Sequence, residues 1–176
     1  MIVKILKAAL MLMFVAMLFG CVPAVASKDF APTQEVLQYP ANKKFVGKLA
    51  RGEVTVKDDV MGAINASNVS DALNLALNDA HYLSPASVAP IYRLDVSVLE
   101  IDRPFIALDL NVKATMHYTI TRISDGQVVF NEQVTIGHEV PFFSEADANE
   151  RLRKAIAKAI SGNITHFLRL LSISNV

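Results

Sequence analysis

The sequence predicts an α+β fold, a two-layer sandwich in which a four-stranded, mostly antiparallel sheet carries two helices on one face. Three observations predict it. Within the expected strand 106–122, residues 108–121 alternate apolar and polar side chains without a break, the pattern of a strand with one buried and one wet face. Two stretches, 69–82 and 144–171, instead repeat apolar residues every three to four positions. The elements run strand, helix, strand, strand, strand, helix, so both helices can cover the single apolar face of the sheet.

A first strand is expected within Phe45–Val56, interrupted by a bulge at Arg51-Gly52. The first helix follows over Val69–Tyr82, with Val69, Ala72, Leu73, Ala76, Leu77 and Ala80 on its apolar face. Asn68 is the expected N-cap and Ser84-Pro85 the expected stop. The second strand is Ile91–Arg103. Its inward set passes from Tyr92, Leu94, Val96 and Val98 to Leu99 and Ile101, which places a bulge near Leu99. The third is Ile106–Arg122 and the fourth Gln127–Val140. A three-residue loop, with Gly126 left-handed, would pair Ile123 with Gln127. Ile120 would then face Phe130, Met116 would face Val134, and Ala114 would face Ile136, keeping the apolar faces together. The last helix is expected from Ser144 to about Leu171, with Ser144 and Asp147 as a capping-box-like start. Ala148, Leu152, Ile156, Ile160, Ile164, Phe167 and Leu171 form its apolar stripe, and Gly162 falls on the solvent side.

The 176 residues carry 17 basic and 17 acidic side chains, and 52% are apolar. That composition excludes a disordered or collagen-like chain, and zero net charge offers nothing that would attract nucleic acid. The start of the chain reads as an export signal. Lys4 and Lys7 precede twelve apolar residues, Ala8–Phe19. As a helix these span about 18 Å, too short for a bilayer core of about 30 Å. Two cleavage sites stand open. Leu18-Phe19-Gly20-Cys21 resembles a bacterial lipobox, ending at the only Cys of the chain, and Ala24-Val25-Ala26 fits an A-x-A site. The first reading divides the chain into a signal peptide 1–20, a lipidated N-terminus and extended linker 21–43, and one domain 44–176. Acyl chains on Cys21 would then be the membrane partner, each methylene adding about 0.8 kcal/mol of anchoring. Val22 after the Cys, where enteric lipoproteins kept at the inner membrane carry Asp, implies the periplasmic face of the outer membrane.

Lipobox, Pro-containing linker and β-α-β-β-β-α core together resemble small Gram-negative envelope lipoproteins, with an LptE-like element order. Glu150-Arg151-Leu152-Arg153-Lys154-Ala155 and Asn163-Ile164-Thr165-His166-Phe167-Leu168 resemble a group of uncharacterised proteobacterial lipoproteins, as does Tyr118-Thr119-Ile120 ahead of Asp125-Gly126. The resemblance covers most of residues 45–171. It implies fold and location, and it brings no catalytic residue.

Chemistry-bearing patterns are sparse. There is no Gly-x-Ser-x-Gly, no phosphate-binding Gly loop and no His pair at metal-ligand spacing, so no catalytic residue, metal ligand or cofactor is assigned. His117 reads as a solvated strand residue. Glu132 and His138 carry the inward parity of their strand, which fits either a polar site under the helices or a solvated sheet end. Arg151, Lys154, Lys158 and Arg169 lie within about 60° on the last helix, a ridge suited to an anionic partner or lipid. The expectation is therefore a non-catalytic adaptor or accessory subunit of an envelope machine, with an envelope protein as partner. A periplasmic lipid-binding or transport-auxiliary protein is the alternative, and an envelope enzyme the third reading.

Overall fold

The structure is a computed structural model that describes residues 27–32, 39–58, 60, 63–103, 110–145 and 147–175. The export signal, Cys21, both cleavage sites and positions 106–109 of the expected third strand lie outside the described residues. The elements are α1 (Ser27–Phe30), β1 (Leu49–Val56), α2 (Ala66–Asp79), β2 (Tyr92–Asp102), β3 (Leu110–Arg122), β4 (Val128–Val140) and α3 (Ala148–Ile173). The strands form one sheet in the order β1-β2-β3-β4. β1 and β2 are parallel because α2 carries the chain back between them; the other two pairings are antiparallel.

Both expected irregularities in β1 and β2 are present. The β2 register shifts between Val98 and Glu100, and the β1 register between Arg51 and Val54. At the second, Asp95 Oδ1 accepts the Glu53 N–H at 2.9 Å. A Cβ on residue 52 would fall 2.0 Å from that oxygen and 2.7 Å from the Leu94 carbonyl. Gly52 is there because two neighbouring groups occupy the space of a side chain.

The β3–β4 pairing matches the expected register through Ile120↔Phe130, Met116↔Val134 and Ala114↔Ile136. The turn does not. Arg122 N–H donates to the Gln127 carbonyl, and the register shifts after Ile120, so Thr121 pairs with Val128. Ile123 leaves the hairpin and donates its N–H to the carbonyl of Ile91, the residue before β2. Gly126 is left-handed, with φ 72°.

The helix ends also differ from expectation. α2 starts three residues early because Asn65, not Asn68, is its cap, accepting the Ser67 N–H at 3.0 Å. It ends before Tyr82. Tyr82 N–H bonds the Leu77 carbonyl and His81 N–H the Asn78 carbonyl, with His81 at φ 59°, a Schellman motif on a non-Gly residue. α3 starts after Ser144, which instead closes a 3₁₀ turn, Phe142–Ser144, with its hydroxyl on the Pro141 carbonyl. Glu145 is extended, and Asp147 caps the helix through the Asn149 N–H.

α3 buries more than one stripe. Residues 27–32, expected in an extended linker, lie against it and α2. Phe30 is fully buried, Asp29 pairs with Arg153 at 2.6 Å, and the Ser161 hydroxyl donates to the Ala31 carbonyl. Asn42 ties the other end, donating its amide to the Leu171 and Ser174 carbonyls while its backbone N–H reaches the Tyr82 hydroxyl.

At the centre α3 is pinned to the sheet by a polar contact. Asn163 is fully buried. Its Nδ2 donates to the Ala114 and Val134 carbonyls, each at 2.8 Å, and its Oδ1 accepts the Tyr118 hydroxyl at 2.9 Å. The Tyr118 ring stacks on Phe167 with centroids 4.1 Å apart. Replacing Asn163 by Ala removes three buried hydrogen bonds, and should cost about 3 kcal/mol in urea unfolding; Tyr118→Phe should cost less, about 1 kcal/mol. Gly52→Ala should cost about 1–3 kcal/mol in the same measurement through overpacking at the β1 bulge.

Candidate functional site

The four basic residues expected to form a ridge on α3 do not share one environment. Arg151 is buried, at 7% exposure. Lys154 is exposed and ion-paired with Glu145. Lys158 and Arg169 instead line an open groove of about 330 Å³ between α3 and the outer strand β4. The helix supplies Lys158, Gly162, Thr165 and Arg169, spaced 4, 3 and 4 residues apart and therefore in line along one side. Ile136 of β4 forms the facing wall, and Tyr39 stands at the rim. Gly162 is half-buried rather than on the solvent side. A Cβ there would lie 3.0 Å from Ile136 Cγ2, so the missing side chain lets strand and helix approach and leaves the groove open above them.

Two histidines belong to this region. His166 lines the groove, and its ring lies 3.2 Å from Arg169 Nη2. His138, two residues along β4 from Ile136, feels the charge of Lys158. Burial lowers the pKa of both, and the neighbouring cation lowers each further. Among the described residues no Asp or Glu lines the groove. Glu132, on the same face of β4, is exposed and lies four residues from Ile136, about 13 Å along a strand.

The rest of the polar chemistry is engaged elsewhere. On the wet face of the sheet, Thr115 bonds Thr135, Thr55 bonds Ser97, and His117 Nε2 lies 2.8 Å from Asn131 Oδ1. Among the described residues no three His, Cys, Asp or Glu side chains gather in metal-binding geometry. No described helix is long and apolar enough to cross a membrane.

Sequence reasoning found Lys158, Arg169 and the inward parity of His138. It missed Gly162, Thr165 and His166 as their neighbours. The 158/162/165/169 spacing was the available signal.

No family model matches the sequence, and no curated protein does either. Solved structures do. Protein XCC0632 from Xanthomonas campestris, assigned to DUF330, is similar with a TM-score of 0.59 and 15% identity, over 81% of this chain and 94% of that one. The two share a fold. A minor lipoprotein from Acinetobacter baumannii gives a TM-score of 0.49 at 13% identity, over 73% of this chain and 92% of that one. Lipoprotein GNA1162 from Neisseria meningitidis gives 0.43 at 13%, over 68% and 99%.

The lowered histidines fix a pH dependence. Each is held more neutral in the fold than in the unfolded chain, so its contribution is complete above the ordinary imidazole pKa of about 6.5 and fades as pH falls through the lower folded value. Stability by urea unfolding should therefore decline from pH 7 toward 5, ahead of carboxylate titration. His138→Asn with His166→Asn should flatten that slope.

Proposed function

We propose that this protein is a non-catalytic, lipid-anchored adaptor or accessory subunit of an envelope assembly or transport machine, held through Cys21 at the periplasmic face of the outer membrane. The observation that carries the reading is the run Leu18-Phe19-Gly20-Cys21 at the end of a short apolar segment, ahead of a well-packed domain. Shape supports it. Asn163 and Tyr118 spend their polar atoms on the helix–sheet joint, Arg153 spends its charge on Asp29 and Glu150, and the wet sheet face presents cross-bonded Thr, Ser and Asn side chains. Such a face is rigid and polar, suited to docking a protein surface. The groove beside α3 favours a second reading, a lipid-binding or transport-auxiliary protein.

Two measurements test the first reading. The intact mass of the mature chain from a membrane fraction should show a start at Cys21 with several acyl chains, and Cys21→Ser should release the protein from the membrane. An unmodified chain starting at Ser27 would sink the anchor. A photo-crosslinker at Thr119, on the wet face, should capture a discrete envelope protein in cells; capture of lipid alone would favour the second reading.

A further inference from the structure

The groove between α3 and β4 has a charge pattern that the adaptor reading does not use. Among the described residues two cations, Lys158 and Arg169, line it, and no carboxylate does. Lys158 makes no ion pair among the described residues, and no described carboxylate pairs with Arg169, whose Nη2 faces the neutral-prone ring of His166. Lys154, one turn before Lys158, is by contrast neutralised by Glu145. The positive charge is thus concentrated where the surface is concave, and a concave low-dielectric wall strengthens the field inside it.

We infer that this groove binds a phosphate-class oxyanion, either a lipid phosphate headgroup or free phosphate, clamped between Lys158 and Arg169. Donor accounting supports the assignment. The Ser161 and Thr165 hydroxyls are already donating, to the Ala31 and Ser161 carbonyls, so neither supplies the anion's contacts. Lys158 has three N–H donors and Arg169 five, of which one nitrogen is engaged with His166. Charge-assisted bonds from these two groups are the strong kind that oxyanions take. Gly162 leaves the floor clear between them, Ile136 supplies an apolar wall, and Tyr39 stands at the mouth. The volume, about 330 Å³, sits at the small end of ligand sites.

The histidines make binding pH-dependent. Among the described residues the titratable groups facing the site are His166, Lys158 and Arg169 from α3, His138 from β4 and Tyr39 from the N-terminal segment. His138 and His166 lose protons more readily than usual because each faces burial and a cation. An oxyanion offsets the cation and favours the protonated ring, so a ligand of fixed charge, such as a phosphodiester headgroup, takes up protons on binding and binds more tightly as pH falls, whereas inorganic phosphate loses negative charge over the same range.

The inference does not depend on lipid anchoring or on the adaptor role, and its test reads neither. The full chain in neutral detergent micelles would be titrated with inorganic phosphate and, separately, with dihexanoylphosphatidylglycerol, while the His138 and His166 ring resonances are followed by NMR from pH 5 to 8. Saturable binding is expected, with both imidazole pKa values rising when the anion is bound. Lys158→Glu with Arg169→Glu should weaken it at least about tenfold, and Lys154→Glu should leave it unchanged. Each variant is checked for an unaltered melting temperature; should the double reversal fail to fold, Lys158→Gln with Arg169→Gln takes its place. Binding of phosphate marks a free-oxyanion site, and binding of the lipid alone a headgroup site. Binding of neither probe, or binding that survives the charge changes in a folded protein, would overturn the inference.

Discussion

The amide of Asn163 holds the two layers together in a way hydrophobic contact cannot. Apolar burial is non-directional, so Ile156, Ile160, Ile164 and Phe167 alone would let α3 slide or rotate by a fraction of a turn on the sheet. Two hydrogen bonds to carbonyls of adjacent strands and one from Tyr118 admit a single placement. The cost of misplacing them is that of buried polar groups without partners. Everything further along the helix inherits this setting. Phe167, one turn later, is placed to stack on Tyr118 and meet Phe130 edge-on, and Gly162, the preceding residue, is brought against Ile136.

That setting also decides which cations of α3 matter. Helical angles alone put Arg151, Lys154, Lys158 and Arg169 together. Packing separates them, because Arg151 is buried and Glu145 reaches Lys154 from the preceding loop. Only Lys158 and Arg169, on either side of Asn163 along the helix, line the groove beside β4. A groove forms there because two small features coincide, a helix glycine and an outer strand whose inward residues Ile136 and His138 are only half covered.

The parts of the fold legible in the sequence were those set by periodicity. Alternation in β3 and the apolar match of β3 with β4 specified a register that the structure shares, because a one-residue slip would expose Met116, Tyr118 and Ile120. Helix ends were not legible, because several residues could cap and the choice is made by packing. Asn65 competes with Asn68, and Asp147 with Ser144. His81 occupies a left-handed position that sequence rules reserve for Gly, since burying Tyr82 beside Asn42 outweighs the backbone strain. The role of residues 27–32 was hidden for a related reason. A four-residue helix has no period to read, and Phe30 shows its purpose only once the face it fills exists. The candidate groove was half legible: its charges were visible on the helix, but its depth depends on a contact between Gly162 and a strand 26 residues away.

The seat of Phe30 has a mechanical consequence. Eight residues lie between it and Cys21, a contour of about 30 Å at full stretch. A chain held in a bilayer at Cys21 would therefore keep its domain on a short leash, and any pull between membrane and domain would arrive first at α1. The load would run through Asp29–Arg153 and the Ser161–Ala31 bond into the side of α3. Freeing α1 would lengthen such a leash and uncover the flank of the helix in the same event, so in a chain held at Cys21 tension and exposure of α3 would be one coordinate.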